Sequence, residues 1–142
     1  MPVSGEAFLG LLPELVATGF LLVVLLGGVF AGPRSEALVA ALAGLGTLAS
    51  FAAAAGLLAA GFSGTFFGGG YAVDPFALYF KLIITATAFF TVIAAARWAE
   101  RTGDAPEYMT LIIAVALGGM LLVSMRDLFG VFLAVELATI PS

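Results

Sequence analysis

Long apolar runs, separated by short segments rich in glycine, proline and charge, leave this chain few ways to fold. A membrane-spanning helix takes about 20 mainly apolar residues. The stretches 13–31, 36–62, 75–96 and 107–125 meet or approach that length, and a last run, 127–142, falls short of it. The pattern predicts an all-α polytopic transmembrane bundle of about five helices, the last truncated, forming one membrane domain over residues 1–142. Composition supports lipid as the solvent. Charged residues make up 10% of the chain and hydrophobic ones 63%, whereas an ordinary soluble domain carries roughly 25% charged residues. A soluble protein of 142 residues would have too few charges to cover so much apolar surface.

The same composition removes several kinds of chemistry. The chain has no cysteine, hence no disulfide, thiolate metal site or cysteine nucleophile of its own. It has no histidine, the commonest general base and metal ligand. The glycines at 68–70 are not followed by the lysine and helix start of a phosphate-binding loop. No basic patch points to nucleic acid. No cofactor or metal site is expected within the chain. The N-terminus carries Glu6 rather than a positive leader region, so the first run is expected to remain as a membrane helix.

Local signals place the boundaries. Pro13 and Glu14 suit a helix start, the proline by its fixed φ and the acid by its charge at the positive end of the dipole. Gly32 and Pro33 end the run. The segment SGTFFGGGYAVD reads as a loop, because three adjacent glycines weaken a helix. Within it, Phe66, Phe67 and Tyr71 are expected at the membrane interface as an aromatic belt. Asp74 and Pro75 then read as N-cap and first helical residue. The polar stretch RWAERTGDAPE lies outside the hydrocarbon, and Arg126 and Asp127 mark a tight turn. Arg34, Arg97 and Arg101 fall on one face of such a bundle and Arg126 on the other, which predicts that the first face is cytoplasmic and that the N-terminus lies outside. Small residues four apart (Gly28 with Gly32, Ala40 with Gly44, Ala114 with Gly118) predict close helix packing.

Two ionisable residues lie inside these runs, where charge is costly and usually functional. Lys81 follows Pro75 by six residues, about 9 Å along a helix. It suits either a lysine that snorkels or pairs internally, or a cation on a hydrated path with Thr85 one turn further along the same face. Glu136 follows Asp127 by nine residues, about 14 Å, near mid-membrane. Its short side chain reaches neither surface easily, so it must be protonated or held by a cation or hydrated cavity. Either state suits proton relay, and the plain alternative is a structural hydrogen bond to a neighbouring helix. Pro141, five residues on, frees a backbone carbonyl beside it and reads as a helix break.

These residues resemble a known family. The opening LLPELVATGFLLVVLL, the segment DPFALYFKLI and the long stretch PEYMTLIIAVALGGMLLVSMRDLFGVFLAVELATIPS look like the N-terminal part of subunit N of bacterial proton-pumping NADH:quinone oxidoreductase, respiratory complex I. The resemblance implies an antiporter-like membrane subunit in which Glu136 matches a fifth-helix glutamate. That glutamate is thought to pair with a lysine on a later helix and help gate a proton channel. Quinone reduction elsewhere would drive the channel. The resemblance further implies FMN, iron–sulfur clusters and quinone in other subunits. Its implied partners are other membrane subunits, neighbouring antiporter-like subunits among them, and the lipid bilayer. It gives Lys81 no established role. Members have about fourteen helices, so the sequence is expected to be a fragment of a longer chain. Three rival readings remain at this stage: a subunit of an Mrp-type cation/proton antiporter or membrane-bound hydrogenase, a small oligomeric transporter built around one buried carboxylate, and a purely structural scaffold in which Glu136→Gln leaves proton translocation intact.

Overall fold

The computed structural model describes residues 5–31, 36–66, 69–102, 105–126 and 128–139. A short helix, α1 (Gly5–Gly10), leads into α2 (Leu12–Ala31), and α3 (Glu36–Ala59) follows. Two strands, β1 (Gly64–Phe66) and β2 (Tyr71–Val73), form an antiparallel hairpin. After them come α4 (Pro75–Thr102), α5 (Ala105–Ser124) and α6 (Leu128–Thr139). Four of the helices, α2 to α5, are long and apolar enough to cross a membrane, and α6 is a shorter apolar helix.

The polarity of the bundle is inverted relative to a soluble protein. Large apolar side chains such as Leu26, Phe30, Leu38, Ile83 and Phe90 point outward, while Glu14, Thr47, Ser50, Lys81, Thr85 and Ser124 are buried. Water would penalise the exposed apolar half of that arrangement and lipid does not, while polar groups in lipid are better turned toward one another inside the bundle. The chain is therefore a polytopic transmembrane α-bundle. Helix α3 packs along both α2 and α4, and α5 packs against α2, α3, α4 and α6. Ala17, Val24, Val39, Ala43, Val92, Met109, Ile113 and Met120 interlock at the centre.

Close approach of helices rests on particular glycines. A Cβ on Gly118 of α5 would lie 2.7 Å from the backbone nitrogen of Ala138 in α6, so the two backbones touch there. Gly46 of α3 does the same for α2: a Cβ would fall 2.6 Å from the Cβ of Phe20. At Gly44 the nearest atoms would be 3.9 Å away, so that residue of the expected Ala40–Gly44 pair is not a tight contact. Gly32 lies outside the described residues.

The segment expected as a loop is instead a hairpin, with Gly64 opposite Val73 and Phe66 opposite Tyr71. The glycines do weaken a helix, but Thr65, Phe66, Tyr71 and Val73 around them favour a pleated strand, and Gly69 supplies the positive φ of +90° that the turn needs. Helix α3 ends in a left-handed cap at Gly61 (φ +69°). There Phe62 N–H donates to Leu57 O and Gly61 N–H to Leu58 O, while Phe62 packs beside buried Leu57. That cap turns the chain back over the bundle end. Asp74 then caps α4, its Oδ1 accepting from Ala77 N–H at 2.7 Å.

The hairpin is tied down as well as folded. Arg126 N–H donates to Gly70 O at 2.8 Å, and Tyr71 forms an isolated bridge with Met125 beyond the end of α5. Tyr71 and Val73 alternate inward from β2 and pack with Leu57 and Leu78. The hairpin thus lies across the end of the bundle where α2 and α4 begin and α3 and α5 finish.

Candidate functional site: a buried acid, phenol and amine

Lys81 is fully buried, so it does not snorkel. Its position on the first two turns of α4 points it inward, beneath the hairpin, where Glu14 from the first turn of α2 meets it. Lys81 Nζ lies 2.5 Å from Glu14 Oε1. Tyr71 from β2 completes the cluster. Its hydroxyl donates to the same Glu14 Oε1 at 2.8 Å and accepts from Lys81 Nζ at 2.9 Å. The ammonium also lies 5.1 Å from the centre of the Tyr71 ring, within cation–π range. Side chains from three elements, α2, β2 and α4, therefore meet at one carboxylate oxygen, with α2 the one distant in sequence.

Each partner is sealed off. Glu14 is 3% exposed and Tyr71 1%, which contradicts the expected place of Tyr71 in an interfacial aromatic belt. The ring is large and apolar, but its hydroxyl finds two ionic partners inside, so burial satisfies both ends. Phe66 and Phe67, the other two expected belt residues, have side chains outside the described set. Burial holds the Tyr71 phenol well above its ordinary pKa, and the Glu14 charge pushes in the same direction. Tyr71 accordingly stays protonated and acts as a fixed hydrogen-bond donor.

Around the pair, Thr85 lies one turn along α4 from Lys81, as the spacing predicts. Its hydroxyl donates to Lys81 O at 2.7 Å. The second carboxylate oxygen, Glu14 Oε2, is buried without a hydrogen-bond partner among the described residues. An ion pair in so apolar a setting requires its partners. Desolvating either charge alone costs several kcal/mol. The arrangement can hold a proton at any of three neighbouring atoms, or serve as a polar tie between α2 and α4.

Glu136 is elsewhere. It lies on α6 eight residues after Leu128, half-buried, and its carboxylate has no hydrogen bond or ion pair among the described residues. Among the described residues, Lys81 is the cation that lies inside the bundle, and it is committed to Glu14. The two residues singled out from sequence are thus not brought together. Pro141 lies outside the described residues. Glu14, a helix-start residue by its place in the sequence, is the acid of the site. No groups of three or more potential metal ligands occur among the described residues.

A buried acid–amine pair inside a polytopic bundle defines a class: membrane subunits that carry ionisable groups within the lipid-embedded interior. The particular kinship comes from sequence comparison. The chain is 38% identical over 138 residues to F(420)H(2) dehydrogenase subunit N of Methanosarcina mazei, covering 93% of this chain and 28% of that protein. It is 38% identical over 130 residues to NADH-quinone oxidoreductase subunit N of Sphingopyxis alaskensis, covering 92% of this chain and 27% of the relative. Against the subunit N of an Anaeromyxobacter species the figures are 39% over 137 residues, with 92% and 25% covered. No protein-family model matches the chain. The chain is a homologue of subunit N of the NADH-quinone oxidoreductases, consistent with the N-terminal part of that subunit. It spans about a quarter of the length of the relatives it matches.

Proposed function

We propose that this chain belongs to an antiporter-like membrane subunit of a proton-translocating quinone oxidoreductase and contributes ionisable groups to its proton path. The observation that carries the reading is the Glu14–Tyr71–Lys81 cluster. Buried charge in a lipid-embedded bundle is expensive, and its most common use is ion or proton movement. In this reading the setting is a respiratory-type complex in a bacterial cytoplasmic membrane, which kinship to subunit N supports, with the N-terminus on the periplasmic side, which the arginine distribution supports. In this reading flavin, iron–sulfur clusters and quinone are handled by other subunits, and the chain works beside other membrane subunits. Glu136, half-buried on α6, is a second proton-handling group whose cation comes from outside these helices.

The test is made on the native assembly. Gentle purification followed by mass spectrometry should find the chain together with flavin and iron–sulfur subunits. In proteoliposomes, Glu136→Gln is expected to lower proton translocation markedly while the complex still assembles. A chain purified alone or as a homo-oligomer, or a Glu136→Gln assembly that pumps like the parent, would overturn the reading.

A further inference from the structure

Glu14 and Lys81 are 3% and 0% exposed, so the pair is shut away from water. A group that passes protons on has to meet water or a hydrated partner at some stage of its cycle. Strand β2 stands between the pair and the near end of the bundle. Its Tyr71 lies directly on the pair, with the hydroxyl 2.8 Å from Glu14 Oε1 and 2.9 Å from Lys81 Nζ. Val73, buried as deeply as Tyr71, closes the same side two residues on. Glu14 and Lys81 are fixed on spanning helices, whereas Tyr71 rides on a strand of three residues.

The two ends of β2 are held differently. Val73 runs straight into Asp74, whose side chain caps α4 through Ala77 N–H, so that end is fixed to a helix. The other end starts from Gly69 and Gly70. There Arg126 N–H donates to Gly70 O at 2.8 Å, and Tyr71 bridges to Met125. Both ties come from the turn between α5 and α6. The remaining neighbour in the sheet is β1, and a two-stranded hairpin is at best marginally stable by itself. A segment held by so few backbone bonds opens locally more readily than the packed helices beneath it. Because the ties at Gly70 adjoin Tyr71, releasing them moves the phenol first. The same turn leads into α6, which carries Glu136 and is pressed onto α5 where Gly118 meets Ala138.

We propose that β2 is a strap over the Glu14–Lys81 pair. Tied to the α5–α6 turn, it keeps the pair closed; released at Gly70, it withdraws Tyr71 and opens the pair to water at the hairpin end. The turn is then the point at which a movement of α6, the helix of Glu136, reaches the ion pair.

Resting on the proton-translocating reading above, the strap is tested on the native full-length assembly. The Tyr71–Met125 bridge sets Gly70 opposite Arg126. Such a pair has Cα atoms roughly 5.5 Å apart, inside the range of about 4.4–6.8 Å that a disulfide spans. Gly70→Cys with Arg126→Cys is therefore expected to cross-link on mild oxidation, as read by mass spectrometry of the chain. In proteoliposomes the cross-linked assembly should translocate protons several-fold more slowly than the parent. Dithiothreitol should restore the rate, and the two single variants should respond to neither reagent. Access is measured separately. Ala77, 1% exposed and one turn before Lys81 on α4, becomes a reporter as Ala77→Cys. Arg126→Pro removes the N–H that ties Gly70, at a position already outside α5, where proline is tolerated. It should speed labelling of Ala77→Cys by a small water-soluble methanethiosulfonate several-fold. A cross-linked assembly that pumps at the parent rate overturns the strap, and so does labelling that Arg126→Pro leaves unchanged. Cysteines that fail to join overturn the seating of Gly70 on the turn. Faster labelling in an assembly whose parent moves no protons would leave the strap standing and overturn the proposed function.

Discussion

Lys81 and Glu14 are worth most as a pair. Removing one charge leaves the other buried and unmatched, which typically costs about 3–5 kcal/mol, whereas replacing both with apolar residues of similar size is often neutral. Lys81→Met is therefore expected to lower the thermal stability of the purified assembly sharply, and Glu14→Leu with Lys81→Met together to restore most of it. A double variant as unstable as the single would show that the charges do not stabilise one another. Tyr71 adds a pH dependence with a definite sign. Its pKa is raised in the folded protein, so its contribution is fully present below the ordinary tyrosine value of about 10 and is lost as pH rises above it. The parent should lose stability in strongly alkaline solution, above about pH 10. Tyr71→Phe should show a lower stability at neutral pH and a flatter alkaline limb, measured by thermal denaturation across pH.

Helix contacts follow a simpler rule, in which space decides. Gly118 and Gly56 are both glycines within helices, yet an added Cβ meets the Ala138 backbone at 2.7 Å in the first case and nothing within 4 Å in the second. Gly118→Ala is expected to cost about 1–3 kcal/mol by pushing α6 away from α5. Gly56→Ala should be neutral or slightly stabilising, by up to about 1 kcal/mol. Thermal stability of the two variants in the same detergent decides between them, and equal values would show that the α5–α6 contact carries no load. The elements themselves are readable from sequence because lipid imposes both a length and an internal hydrogen-bonding rule on each span. Asp74 likewise announces its helix, since an N-cap acts within one turn. The hairpin is harder to read: glycine's weak helix propensity shows in the sequence, but strand pairing depends on what the strands pack against. The ion pair is the least legible feature. Lys81 stands out as a lone cation in an apolar run, but Glu14 sits where an ordinary first-turn acid would sit. Its tie to Tyr71 spans 57 residues, and no local spacing encodes a contact of that range.

For the molecule as a whole, the two ends of the bundle differ in kind. One end carries the hairpin, the Glu14–Tyr71–Lys81 cluster beneath it and the exposed Arg126. The other carries the exposed Arg97 and Arg101, near the packed rings of Trp98 and Tyr108, whose centres are 4.7 Å apart. Arginines near span ends favour the cytoplasmic side, and translocating them is the costlier alternative. The Arg97 end should therefore face the cytoplasm and the hairpin end the periplasm, which places the buried pair near the outer exit of any proton route. The absence of cysteine makes this measurable without background from the chain itself. Ser63, exposed just before β1, and Arg101, exposed near the end of α4, report on opposite ends. In intact cells a membrane-impermeant maleimide is expected to label Ser63→Cys readily, and to label Arg101→Cys only after the membrane is permeabilised. The reverse pattern would invert the bundle and put the Glu14–Lys81 pair at the cytoplasmic end.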